Sequence, residues 1–135
     1  MGLTRDEILS KRALKTETVN IPEWGGDVIV REMTAREGDA YEATFRVDDD
    51  MPKEEQDKRY SNMRARLVCL CVVDEKGNRL FKDNDVEEIG NLPRMVLDKI
   101  ATVASRLSGY DKRSQDASKK NLGANVNSTS ASPLH

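Results

Sequence analysis

Few residues in this sequence could carry out chemistry, and their positions favour none of the common mechanisms. The one histidine, His135, is the last of 135 residues. A Ser-His-Asp triad, a Cys-His pair or a histidine-based zinc site would therefore depend on a residue at a chain end, and chain ends are usually poorly ordered. The sequence predicts neither nucleophilic catalysis nor a zinc centre.

The two cysteines, Cys69 and Cys71, are separated by one residue. Side chains two positions apart on a helix point about 200° away from each other, so these thiols are not placed to form a disulfide. Their spacing matches neither the Cys-x-x-Cys redox motif nor a four-ligand zinc set. We expect both to be small buried hydrophobic residues in a reducing compartment.

An acidic run at Asp48-Asp49-Asp50 invites comparison with a calcium-binding loop. An EF-hand loop that began at Asp48 would need a glycine at its sixth position and a glutamate at its twelfth, but Lys53 and Arg59 stand there. Glycine-rich phosphate loops, nucleophile elbows and His-Glu-x-x-His motifs do not occur either. We therefore expect no metal, no cofactor and no enzymatic activity, and a binding function instead.

The composition and the length of the apolar runs argue against two classes of partner, nucleic acid and membrane. Lys and Arg number 22 against 24 Asp and Glu, a balance that gives no basic footprint for nucleic acid. The longest apolar run covers residues 67–73, whereas a membrane helix needs about 20 residues. The N-terminal residues contain no apolar run of the kind found in secretory signal peptides. The sequence predicts a cytoplasmic protein that binds neither nucleic acid nor membrane.

The elements that would position a binding surface can be traced from capping and periodicity. Capping boxes at Thr4–Glu7 and Thr34–Glu37 predict helices over 4–13 and 35–46. Two β-branched runs on either side of Gly25-Gly26 predict a hairpin within 15–33. Pro52, followed by two glutamates, predicts the start of the longest helix, over 52–72.

The second half continues with shorter elements. The turn at 74–78 predicts a short hairpin between Val72-Val73 and Leu80-Phe81, followed by a short helix over 84–90. A last helix over 92–107, capped by Asn91, ends at Ser108-Gly109. The sequence predicts a helix-rich α+β domain over 1–110, with short hairpins packed on four to five helices, and a disordered polar tail over 111–135.

Two apolar stripes on the predicted helices have two interpretations. They consist of Tyr60, Met63, Leu67 and Leu70 on the helix over 52–72, and of Met95 and Ile100 among others on the last helix. Helical spacing of this kind is typical of a core-facing side. The same residues could line a groove for an apolar partner helix, in which methionine side chains adapt to the partner. These six residues are our candidates for partner binding.

The order of segments over 2–110 resembles the small tail assembly chaperones of long-tailed, siphovirus-type bacteriophages. The similarity lies in the residue types and the order of the segments, and none of these segments is a catalytic motif. The segments that carry it are Leu3 to Leu9, Val28 to Glu37, Leu67 to Phe81, Asp85 to Gly90 and Ala104 to Gly109.

The resemblance implies a function in phage tail assembly. Such proteins bind the long tape measure protein in the cytoplasm of the host cell, keep its apolar helical segments soluble and promote assembly of the tail tube around it. They are absent from the finished virion. Many exist in two lengths, since a −1 ribosomal frameshift adds a domain that recruits tail tube protein. This chain would be the short, non-frameshifted form.

One short segment fits the two-product arrangement. Lys119-Lys120-Asn121 is encoded by adenine-rich codons, and a sequence such as A-AAA-AAC at that place would be a slippery heptamer. A gene with no slippery heptamer over codons 105–135, and no open −1 frame beyond, would exclude the frameshift.

Two further possibilities follow from the same residues. The chain could be a small structural tail protein or a head–tail joining protein of the virion, in which case purified particles would contain it. It could also self-associate through its apolar stripes.

Overall fold

A hairpin opens the sheet, as the β-branched runs predict. The computed structural model describes residues 1–110, and in it strand β1 (Thr16–Ile21) pairs antiparallel with β2 (Gly26–Arg31). A single 3-10 turn, Pro22–Trp24, joins the strands. Gly25 follows it with a φ of 71°, which glycine adopts without a steric penalty. The predicted hairpin within 15–33 is confirmed.

The third strand joins the sheet on the other side of β2. Strand β3 (Val72–Val73) runs antiparallel to β2, which gives the order β1-β2-β3. The predicted second hairpin is reduced to one bridge between Val73 and Arg79. Its outer arm does not extend into a strand. The Leu80 N–H donates one hydrogen bond to the Val72 carbonyl and Phe81 packs against the core, but the Leu80 side chain is 56% exposed.

Both predicted capping boxes are present, and each starts a helix. Helix α1 (Arg5–Leu9) follows Thr4, and α2 (Ala35–Ala43) follows Thr34. Both helices end earlier than 13 and 46. Neither contains a fully buried residue, and a short helix needs packing to extend beyond its first turns.

The predicted single helix over 52–72 is wrong, because the chain breaks into α3 (Lys53–Tyr60) and α4 (Met63–Cys71). Asn62 adopts a left-handed conformation with a φ of 63°, which asparagine tolerates better than most residues. The Ser61 hydroxyl donates a hydrogen bond to the Lys58 carbonyl, a local alternative to helix continuation. The apolar stripe from Tyr60 to Leu70 is therefore not one helical face.

This break makes a testable prediction at Asn62. Asn62→Ala should lower the free energy of unfolding by about 1 kcal/mol, because alanine is sterically disfavoured in the left-handed conformation. Asn62→Gly should be close to neutral, because glycine adopts this conformation freely but also adds unfolded-chain entropy. Urea unfolding followed by circular dichroism compares the two variants. Equal stabilities would contradict the left-handed geometry.

The last third of the domain is helical. A 3-10 turn, Asp83–Asp85, leads into α5 (Val86–Ile89), which confirms the short helix over 84–90, and α6 (Arg94–Leu107) follows. The predicted cap at Asn91 is wrong, since Pro93 precedes the first helical residue. Proline already has a φ near the helical value, and its carbonyl accepts the first hydrogen bond, from the Leu97 N–H.

The core lies between the sheet, α4 and α6. Its largest fully buried side chains come from all three: Ile21, Val30, Cys69, Cys71, Val73 and Ile100. Both cysteines are buried free thiols, as expected. The α+β fold class is confirmed.

The predicted tail over 111–135, with Lys119-Lys120-Asn121, lies outside the described residues. Within residues 1–110, no helix combines the length and the apolar composition that crossing a bilayer requires.

Candidate partner-binding groove

Large apolar side chains are exposed where α3 meets α4 and where α6 begins. Tyr60 ends α3 and is 49% exposed, while Met63 starts α4 and is 40% exposed. Leu92 and Met95 flank the start of α6, and Met95 is 77% exposed. Exposed apolar side chains are informative when they gather around a concave surface.

The break at Asn62 contributes to such a concave surface. A hollow of about 430 Å³ lies between α4 and the start of α6. Ala65 and Leu97, both buried, form its floor. The rest of its lining is part apolar and part polar: Tyr60, Ser61, Asn62, Met63, Arg64, Gly90, Leu92 and Arg94.

A second hollow, of about 360 Å³, shares Met63 and Arg64 with the first. Leu67 and Ala101 lie at its floor, and both are buried. Because the two hollows share residues, we treat them together as the α4/α6 groove.

One ion pair crosses this groove. A side-chain nitrogen of Arg64 on α4 lies 2.9 Å from a carboxylate oxygen of Asp98 on α6. Both side chains are about half exposed, so the pair contributes little to stability. A partner that lies along the groove can displace it at low cost.

The six residues predicted for partner binding divide by position. Three line the groove: Tyr60, Met63 and Leu67. Leu70 lines a separate pocket on another face of α4. Met95 is on the solvent side of α6 and lines neither hollow, and Ile100 is 1% exposed in the core.

Two tyrosines that the sequence prediction did not include close one end of the groove. Tyr41 of α2 and Tyr110 both line the second hollow, with ring centroids 6.1 Å apart. The Tyr110 hydroxyl donates a hydrogen bond to a Glu42 carboxylate oxygen. Burial and this carboxylate raise the pKa of Tyr110 well above its usual value, so the phenol stays neutral. Tyr110 follows the end of α6, so no helical periodicity could have indicated it.

The α4/α6 groove has the features of a surface that binds a helix. Burial raises the pKa of Cys69 to about 11 and that of Cys71 to about 12, so neither is a thiolate nucleophile at neutral pH. Within residues 1–110, no group of three His, Cys, Asp or Glu side chains could hold a metal ion. An apolar floor with a charged and polar rim matches the needs of an amphipathic helix laid in a groove.

Comparison with known proteins identifies the family of this chain. The structure of the bacteriophage HK97 tail assembly chaperone is similar in fold, with a TM-score of 0.55 and 20% sequence identity over 70% of this chain and 85% of that one. Among curated proteins, none matches the sequence significantly. The sequence model of the phage tail assembly chaperone family matches residues 4–120. The chain therefore belongs to the phage tail assembly chaperone family.

Proposed function

We propose that this chaperone binds the tape measure protein in the host cytoplasm and keeps it soluble while the tail tube assembles around it. The domain over 1–110 is the part that binds. A longer, frameshifted product recruits the tail tube protein, and neither product remains in the finished virion.

The observation that carries the proposal is the α4/α6 groove. A tape measure protein presents long apolar helical segments, and the groove offers an apolar floor, an adaptable methionine and polar edges in the same place. Among the proposed contact residues, Tyr60 and Met63 are exposed and line the groove, while Met95 is exposed on the solvent side of α6. Leu67 lies at the floor of the groove, Leu70 lines the pocket on another face of α4, and Ile100 is buried in the core.

Co-expression with the candidate tape measure protein tests the proposal. We expect the tape measure protein to move from the insoluble to the soluble fraction and to co-purify with this chain. Mass spectrometry of purified virions should find none of the chain. An insoluble tape measure protein, together with this chain in mature particles, would instead support a structural tail or head–tail joining role.

A further inference from the structure

A pocket on another face of α4 shares Tyr41 with the second hollow of the α4/α6 groove and is lined by three arginine side chains. Its volume is about 300 Å³. Arg36 comes from α2, Arg66 from α4 and Arg79 from the segment after β3. Leu70 and Val86 add apolar walls. We call this hollow the arginine pocket.

The two carboxylates that line the pocket already have partners. Glu37 accepts two hydrogen bonds of 2.8 Å from the Arg31 guanidinium. Asp83 lies 2.9 Å from a terminal nitrogen of Arg79, whose Nε donates to the Cys69 carbonyl. Neither carboxylate is therefore left to neutralise the other two arginines.

Arg36 and Arg66 remain without an ion pair among residues 1–110. Moreover, the Arg66 Nε is buried and has no hydrogen-bond acceptor there. A buried donor without an acceptor is costly, and a charged one more so. The pocket thus has excess positive charge beside apolar walls, although the whole chain carries a net charge of −2.

We infer that the arginine pocket takes an acidic side chain of the client, a glutamate or aspartate flanked by aliphatic residues. This inference rests on the proposed function and specifies the client sequence that is recognised. Planar guanidinium groups match the two oxygens of a carboxylate, which would supply the counter-charge that Arg36 and Arg66 lack. Leu70 and Val86 would contact the neighbouring aliphatic side chains.

Overlapping 20-residue peptides of the tape measure protein provide the probe, and their Kd for the full chain is the readout. We expect the double variant Arg36→Gln/Arg66→Met to bind the recognised peptide about tenfold more weakly, since truncating one side of a desolvated charge pair costs at least that much. Changing the acidic residue of that peptide to its amide should raise the Kd for the wild type by the same factor of about ten. The same change in the peptide should leave the Kd for the double variant unchanged. Arg12→Gln, an exposed arginine outside the pocket, is the matched control.

The outcomes separate this inference from the proposed function. If no tape measure peptide binds the wild type, the proposed function fails and the inference with it. If peptides bind the wild type and the double variant equally, or the amide peptide binds like the acidic one, only the inference fails. It also fails if the variant alters self-association alone, because the occupant would then be a second copy. Should the double variant misfold, the exposed Arg36→Gln decides in its place.

Discussion

Met63→Asp is expected to abolish solubilisation of the tape measure protein while the fold remains intact. Met63 lies where the two hollows of the α4/α6 groove meet, so an apolar partner would have to desolvate the new carboxylate. Although Arg64 and Arg94 line the same hollow, removing a carboxylate from water costs several kcal/mol. In the free chain the same carboxylate stays hydrated, because the site is 40% exposed. Co-expression followed by centrifugation should leave the tape measure protein in the pellet.

Leu80→Asp is the matched control for Met63→Asp. Leu80 is 56% exposed and lines neither hollow, so the same charge there should leave solubilisation unchanged. Far-ultraviolet circular dichroism checks the fold of both variants. An unfolded Met63→Asp chain would mean that Met63 is a core residue. A folded variant that still solubilises its client would refute the groove.

Glu37→Gln is expected to lower the free energy of unfolding by about 3 kcal/mol. This is a large share of the ~5–15 kcal/mol that is the typical free energy of unfolding of a native protein. The Arg31 side chain is only 7% exposed, and Glu37 holds it with two parallel hydrogen bonds of 2.8 Å. The amide keeps the shape of the glutamate side chain but leaves the guanidinium buried without a counter-charge. Urea denaturation of both proteins measures the difference.

Glu7→Gln provides the internal comparison. Glu7 closes the same kind of capping box with Thr4, but it is exposed and has no arginine partner within residues 1–110. The denaturation midpoint should therefore hardly move. If both glutamine variants lost equal stability, the cost would lie in the capping boxes and not in the Arg31–Glu37 pair.

The same pair should make stability depend on pH. Burial alone would raise the pKa of Glu37, but hydrogen bonds from Arg31 and Thr34 outweigh it and hold that pKa below its usual value. A carboxyl with a lowered folded-state pKa stabilises the fold above its unfolded pKa. That contribution is lost as the pH falls through the folded-state pKa. Wild type and Glu37→Gln should therefore converge in stability under acid conditions.

Local signals in the sequence predicted much of the fold. Both capping boxes and the first hairpin depend on residues only a few positions apart, so their hydrogen bonds follow directly from the residue types. The break at Asn62 also reflects tertiary packing, because α3 is polar up to Tyr60 whereas α4 is mostly buried. The change from KEEQDKRY to MRARLVCLC across Ser61-Asn62 is the signal that could have indicated it.

The candidate site was only partly predictable for a related reason. Periodicity identifies which residues are apolar on one side of a helix, but it does not say whether that side faces the core or a hollow. Met63 and Ile100 look equivalent in the sequence, yet one is half exposed and the other buried. Likewise, the arginine pocket unites α2, α4 and the segment after β3, and no local pattern connects them.

The hydrogen bonds of α6 have a consequence for synthesis. This helix and the residue just after it are hydrogen-bonded to the first half of the chain. Arg106 donates to Glu17 and Lys99 donates to the Asn20 carbonyl, while the Ser108 hydroxyl accepts from the Met33 N–H. Translation adds about 5–20 residues per second, so α6 is complete roughly 4–15 s after the β1–β2 hairpin has been synthesised. During that interval the apolar face of the nascent hairpin stays uncovered. The chaperone that we propose to shield the apolar segments of another protein therefore exposes an apolar surface of its own during synthesis.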